Sequence, residues 1–330
     1  MDLYVAPLEG ITGYIFRNAY HDYFGAEAKK YYTPFLALCP KRGIKEKERN
    51  EVLPANNKSY KLVPQVMTIS SEDFNKAKVR LRDLGYEEIN INLGCPARTV
   101  TSGGRGAGAL EDLHKLEQFL EGVFKDGDTN ISLKTRIGID YTEEFAAILE
   151  IYNKFPVKEL TIHPRLLKEQ YKGVPHHEIF LEALRIAKMP VCYNGDINTV
   201  EDYVKLMKLI GENSDKNISA VMIGRGILKD PAIIRKISAY GDNQAVGLEA
   251  GAMQSYEASN EEVKAMLCRL QKDYAAIFSG QLPVLYKLKE IWCYLGQGLY
   301  AEQPKLIKKI LKSKNLAEYE CYMHQILADK

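Results

Sequence analysis

The chain has 330 residues, 46% hydrophobic and 27% charged, ordinary values for a folded protein, which excludes a largely disordered chain. Lys and Arg number 45 and Asp and Glu 43, a net charge of +2, so any binding of nucleic acid must rest on local clustering of charge. No run approaches the roughly 18–20 apolar residues of a membrane-spanning helix. Met1-Asp2-Leu3-Tyr4-Val5-Ala6-Pro7 has neither the basic start nor the cleavage site of a secretory signal, so a cytoplasmic location away from membranes is expected.

Short apolar, β-branched or aromatic runs recur along the first two thirds of the chain. They are Leu3–Leu8, Lys30–Pro34, Leu62–Met67, Glu88–Asn92, Ile131–Ile137, Glu159–His163, Pro190–Asn194 and Ala220–Gly224. Most are near-continuous, as parallel strands covered on both faces require. Helix-start signals lie between them: Ser70-Ser71-Glu72-Asp73, Thr199-Val200-Glu201-Asp202, and Thr142 as an N-cap before Glu143 and Glu144. Eight strand–helix units in roughly 230 residues predict a (β/α)8 TIM barrel over 1–240 rather than an open doubly wound sheet.

The period then changes. Residues 241–258 read as a linker. Ser259-Asn260-Glu261-Glu262 is a further capping box, followed by Val263, Met266, Leu267, Leu270 and Tyr274 at helical spacing. Gly280 and Pro283 break that helix, and three more patterns cover about 284–298, 303–313 and 316–328. The fold class is therefore α/β, a TIM barrel followed by a small all-helical domain over 259–330.

The six cysteines Cys39, Cys95, Cys192, Cys268, Cys293 and Cys321 contain no C-x-x-C pair, so no metal site is expected and free thiols are. Five are read as small buried hydrophobes. Cys95 is different, because Gly94 frees and Pro96 stiffens the loop that carries it. A thiol of ordinary pKa near about 8.5 serves as a general acid, and one with a lowered pKa as a nucleophile.

A TIM barrel gathers its chemistry at the C-terminal ends of its strands. Those ends carry Ala6-Pro7-Leu8-Glu9-Gly10, Gln65, Asn92-Leu93-Gly94-Cys95-Pro96, Lys134-Thr135-Arg136, His163-Pro164-Arg165, Asn194-Gly195-Asp196 and Gly224-Arg225-Gly226. The last two follow the seventh and eighth strands, where glycine-rich turns and Arg225 suit a phosphate-bearing ligand. Lys134 reads as a structural ion pair, as a cation under a ring that gains charge on reduction, or as a Schiff-base amine. His163 reads as structural or functional. Lys305, Lys308, Lys309 and Lys312 fall on one helix face, and 283–314 holds seven lysines against Glu290 and Glu302, a local charge of +5. Such a face is either merely solvated or suited to RNA phosphates.

In these motifs, joined by Gly104-Arg105-Gly106-Ala107-Gly108 and Tyr171-Lys172-Gly173, the chain resembles the tRNA-dihydrouridine synthases, flavoproteins that reduce uridine in tRNA. The resemblance implies that Pro7, Leu8 and Glu9 line flavin mononucleotide (FMN). It implies that Gln65, Lys134 and His163 contact the flavin or its ribityl-phosphate arm, and that Asn194, Gly195, Asp196, Gly224 and Arg225 hold the phosphate. Cys95 would protonate uracil C5 while hydride reaches C6, Asn92 and Arg136 would hold the uracil, and NADPH or NADH would re-reduce the flavin. Lys287, Lys289, Lys305, Lys308, Lys309 and Lys312 would meet tRNA, and a monomer is expected. Leu8, Asn90, Thr99 and Leu167 depart from residues common in that family, which favours Met, an acid, Lys and a nearby Arg there. The rival readings are a reductase of a free pyrimidine like the dihydroorotate dehydrogenases, a Schiff-base lyase working through Lys134, and an RNA-binding protein without catalysis.

Overall fold

Eight parallel strands appear where the apolar runs predict them in a computed structural model of the chain, which describes all residues except 40–42, 59, 128–129, 247–255 and 329–330. They are Asp2–Val5, Lys30–Tyr32 with Leu36–Cys39, Leu62–Val63 with Gln65–Met67, Glu88–Leu93, Asn130–Arg136, Leu160–His163, Val191–Tyr193 and Ala220–Ile223. The second and third strands are each in two pieces because Pro34 and Pro64 have no N–H to give the ladder. On either side of these breaks the two strands remain partners, Tyr31 opposite Leu62 and Leu36 opposite Val66. The eighth strand neighbours the first and the first pairs with the second, so the order returns to its start, as in a TIM barrel. A two-residue strand, Gly43–Ile44, adds antiparallel to the end of the second.

The chain packs as two compact units. The first comprises Met1–Pro7, Lys29–Gly195 and Lys205–Met222, and the second Leu8–Ala28, Asp196–Val204 and Ile223–Lys330.

In the first unit, Tyr4, Ala6, Tyr32, Val63, Cys192, Ala220 and Met222 form one buried cluster drawn from five strands, the apolar filling of the barrel. The fourth and fifth strands differ. Glu88, Asn90 and Asn92 alternate with Ile89, Ile91 and Leu93, and their neighbours in register are Asn130, Ser132 and Lys134. One side of this strand pair is therefore polar, with Glu88, Asn90, Asn92 and Ser132 buried and Lys134 half-buried. At the N-terminal ends of the strands, Lys30 lies 3.1 Å from both Glu88 and Glu159, and Glu159 accepts from the Tyr4 hydroxyl at 3.1 Å and from the Ser219 hydroxyl at 2.9 Å. Such a buried ionic cluster persists only when its members satisfy one another.

In the second unit, helix Tyr14–Tyr23 packs on helix Asn260–Ile277. Arg235 clamps the start of the latter, donating to Glu262 at 2.8 Å and to the carbonyls of Tyr256 and Glu257. Trp292 is fully buried and donates to the Tyr319 hydroxyl at 3.1 Å, which ties Gln281–Leu295 to Leu316–Leu327. Pro304–Lys312 buries Ile307 and Ile310 and turns its lysines to solvent.

Several expectations need correction. Thr142 is not an N-cap; Glu144 folds back instead and accepts from the N–H groups of Ile139, Asp140 and Tyr141 at 2.7–3.0 Å. A carboxylate in the first turn satisfies three donors at once, which one hydroxyl cannot. Ser70, Thr199 and Ser259 do cap as expected. The preceding helix already ends at Ile277 with Phe278 as its C-cap; Gly280, at φ +86°, is the N-cap of the next helix, and Pro283 sits inside the first turn of that helix, where its missing N–H costs no helical bond. Cys268, Cys293 and Cys321 are exposed on the tail helices, and among the described side chains of those five only Cys192 is buried as expected. The side chain of Cys39 lies outside the described residues. Helix Ile233–Val246 runs into the start of the expected linker, half of which (247–255) also lies outside them.

Candidate active site at the strand ends

The fourth strand leads into the loop that carries Cys95. Its last polar residue, Asn92, turns its side-chain oxygen onto the loop and accepts from the N–H groups of Gly94 and Cys95 at 3.1 and 2.9 Å. Gly94 lies against the fifth strand, where a Cβ would stand 3.2 Å from the Thr135 carbonyl carbon. The carbonyl of Cys95 accepts from Ala107 N–H at 3.0 Å. The half-buried thiol is thus mounted on a loop held from three directions.

Behind the loop, Asn92 Nδ2 donates to Gln65 at 2.7 Å, and both side chains are buried. In register with Asn92 on the neighbouring strand is Lys134. Among the described residues its ammonium has no carboxylate and no hydrogen-bond partner. Burial pushes it down to about 8, and the charge of Arg136 adds to the effect. The ion-pair reading of Lys134 is therefore not what the structure shows. A desolvated cation left without an anion is a place for an electron-rich group.

Arg136 is fully buried and anchors backbone, donating from Nε to Gly94 O and from Nη1 to Leu166 O, each at 2.9 Å. Burial lowers it to about 10. Its guanidinium lies 5.3 Å from the centre of the Tyr171 ring, which is half exposed. Arg165 behaves alike, donating to Lys172 O and Gly173 O and, at 3.1 Å, to His163 Nε2. A guanidinium only donates, so Nε2 of His163 accepts and a neutral ring carries its proton on Nδ1. Asn194 is buried and donates to Met222 O at 2.8 Å. Gly195 admits no side chain, because a Cβ would fall 2.0 Å from the Tyr193 hydroxyl, itself 3.0 Å from His177.

In the second unit, Asp196 and Arg225 form an ion pair at 2.5 Å. Gly224 stands at the start of helix Arg225–Lys229, and Gly226 passes so close to Ile197 that a Cβ would lie 2.1 Å from its carbonyl oxygen. Leu8 is half-buried and Glu9 exposed, as Pro7 of the first unit is half-buried. Lys287 donates to the Gly10 carbonyl and pairs with Glu290, and Lys289 donates to the Ser313 carbonyl. Those two lysines are structural anchors. Lys305, Lys308, Lys309 and Lys312 are exposed and share one face, Lys309 lying over the Tyr322 ring at 5.4 Å.

Residues 4–287 match the family model described as Dihydrouridine synthase (Dus). The chain belongs to the dihydrouridine synthase family. Similar relatives include a probable tRNA-dihydrouridine synthase of Staphylococcus epidermidis, 26% identical over 241 residues. Another is probable tRNA-dihydrouridine synthase 2 of Bacillus subtilis, 27% identical over 240 residues. Each alignment covers 70% of this chain and 70% of the relative. Among solved structures, morphinone reductase superposes with a TM-score of 0.50 at 14% identity, covering 72% of this chain and 86% of that one, a likeness of fold.

Within this dihydrouridine synthase, sequence reasoning missed the roles of Asn90, Ser132 and Tyr171. The alternation Glu88, Asn90, Asn92 was the available signal, since a polar residue at every second position of a buried strand needs partners inside the barrel.

Proposed function

We propose that the protein reduces uridine in tRNA to 5,6-dihydrouridine, with FMN as the resident cofactor and NADPH or NADH as the electron donor. The observation that carries the reading is Lys134, a half-buried cation without an anion among the described residues, set in register with the strand that delivers Cys95. The residues fit a flavin, whose N1–C2 edge gains negative charge on reduction and suits a fixed cation. Gln65, Lys134 and His163 would hold it, with Pro7, Leu8 and Glu9 along it. Asn194, Gly195, Asp196, Gly224 and Arg225 would take its phosphate, Arg225 exchanging part of its contact with Asp196 for the anion.

When bound, the flavin supplies hydride to uracil C6. The chain's own work is to place a proton donor at C5. Cys95 holds that proton on Sγ, and Asn92 fixes the loop by accepting from the Cys95 and Gly94 N–H groups. Arg136 holds the wall beside them through Gly94 O. The base must leave the RNA stack to reach the thiol, and the half-exposed Tyr171 ring offers a surface near Arg136. The exposed lysines of Pro304–Lys312 supply charge for tRNA phosphates. We further propose that the protein acts as a cytoplasmic monomer whose helical tail from residue 259 serves RNA binding.

The test is an absorbance spectrum of the purified protein followed by anaerobic addition of tRNA lacking dihydrouridine to the photoreduced enzyme. Flavin bands, and reoxidation by tRNA but not by free uridine, are expected. A protein that binds no flavin overturns the reading. A flavin protein oxidised equally by free pyrimidines moves the substrate to a free base.

A further inference from the structure

The Cys95 loop is the end of a hydrogen-bond chain that runs through the barrel. Cys95 N–H donates to Asn92 Oδ1 at 2.9 Å, and Asn92 Nδ2 to Gln65 Oε1 at 2.7 Å. Gln65 Nε2 donates to Asn90 Oδ1 at 2.8 Å, and Asn90 Nδ2 to Ser132 Oγ at 3.0 Å. Ser132 Oγ donates to Glu88 Oε1 at 3.0 Å, and Glu88 is held by Lys30. Gln65, Asn90 and Ser132 are at most 1% exposed, and Glu88 is 4% exposed. Water does not compete for these groups.

The direction of every link is forced from both ends. A backbone N–H can only donate, so Asn92 must present its oxygen to the loop and its NH2 to Gln65. An ionised carboxylate can only accept, so Ser132 must donate to Glu88 and accept from Asn90. The two constraints meet at Gln65 and Asn90 without conflict. A reversal of any one amide would set two donors or two acceptors face to face in a buried site, which costs about 1–3 kcal/mol per unsatisfied group.

We propose that Asn90 and Ser132, set by the charge of Glu88, are positioning residues for the reaction: they fix the amide orientation of Gln65 and through it that of Asn92, and so hold the Cys95 loop in its working geometry. The relevance to turnover rests on the reading of Cys95 as the proton donor; the polarity of the chain does not.

Hydrogen exchange followed by mass spectrometry on the flavin-loaded protein without RNA tests it, comparing Asn90→Leu, Asn90→Asp and Ser132→Ala with the parent. Leu matches Asn in shape but offers no acceptor to Gln65, whereas a protonated Asp, the form that burial favours, keeps that acceptor and donates to Ser132 Oγ in place of the amide. Asn90→Leu and Ser132→Ala should speed exchange of the Gly94 and Cys95 amides at least tenfold while the sixth strand keeps its rate. Asn90→Asp should stay within about threefold of the parent. The proposal is overturned if Asn90→Leu leaves those two amides unchanged. It is equally overturned if Asn90→Asp and Asn90→Leu loosen the barrel alike, which is how a merely structural polar residue would behave. Should Asn90→Leu not fold, Ser132→Ala gives the same reading. Cys95→Ala is assayed for tRNA reduction in parallel: persistent turnover there removes the proton-donor reading and leaves the exchange result standing.

Discussion

A Cβ at Gly106 would stand 2.8 Å from the carbonyl oxygen of Cys95 and 3.0 Å from its Cβ. Gly106 also has φ +56°, a conformation that costs an L-residue roughly 1–2 kcal/mol. The glycine-rich turn over 104–108 is thus the mould against which the Cys95 loop is cast. Both the close approach and the positive φ exclude a side chain.

Gly106→Ala should therefore move the Cys95 backbone. We expect a loss of about 2–3 kcal/mol in stability and a fall of more than about tenfold in turnover, since misplacement by an ångström weakens an oriented proton transfer that strongly. Thermal unfolding followed by circular dichroism, with single-turnover assay of tRNA reduction, checks both. Wild-type turnover in this variant would show that the loop tolerates displacement.

Lys134 makes a prediction about pH. Its ammonium titrates near about 8 in the folded, flavin-free protein, against an ordinary lysine value of 10.5. Between those values the unfolded chain binds the proton that the native state has released, so stability rises with pH over that window. Below about pH 8 the native state carries the half-buried cation at its full cost. The midpoint of flavin-free parent protein, relative to that of Lys134→Met, should climb from pH 7 to pH 10. A constant difference would mean that the ammonium is solvated in the native state.

The tail lysines divide into two kinds. Lys287 and Lys289 give their ammonium groups to main-chain carbonyls, while Lys305, Lys308 and Lys312 stand exposed on one face. The triple change Lys305→Ala, Lys308→Ala, Lys312→Ala should weaken tRNA binding and reduce the slope of log Kd against log salt by about two to three. Stability should hardly change, because exposed side chains are replaced. Lys287→Ala should do the opposite, lowering the melting temperature with little change in the salt slope. Titrations of labelled tRNA at several salt concentrations distinguish the two.

The barrel was legible because parallel strands covered on both faces leave a continuous apolar run, and all eight runs are strands. The caps at Ser70, Thr199 and Ser259 were legible because a hydroxyl before an acid is a local device. What escaped is what depends on partners far along the chain. The Gln65–Asn90–Ser132 links join residues 25 and 42 positions apart, and no spacing rule announces them. The anchoring of Lys287 to Gly10 spans 277 positions, so composition alone counted it with the free lysines. Cys268, Cys293 and Cys321 were misjudged for a related reason. Residue type sets only an average burial, and the face of a helix that meets the core is decided by its neighbours.

Arg165 carries the last prediction. It is fully buried and donates through Nε to Lys172 O at 3.1 Å, through Nη2 to Gly173 O at 2.7 Å and through Nη1 to His163 Nε2 at 3.1 Å. One planar group thus ties the turn over 171–173 to the histidine at the end of the sixth strand and keeps the proton of a neutral His163 off Nε2. Lysine has a single donor atom and cannot span three acceptors in one plane. Arg165→Lys should release the turn, whose Gly173 holds φ +72° and whose Tyr171 lies over Arg136. Trypsin should then cut after Lys172 at least tenfold faster than in the parent, with a stability loss of about 2–4 kcal/mol from the carbonyls left without a donor. Binding of flavin should weaken in the same variant, because His163 is free to turn. An unchanged cleavage rate at Lys172 would show that the turn is held by its own backbone and not by the guanidinium.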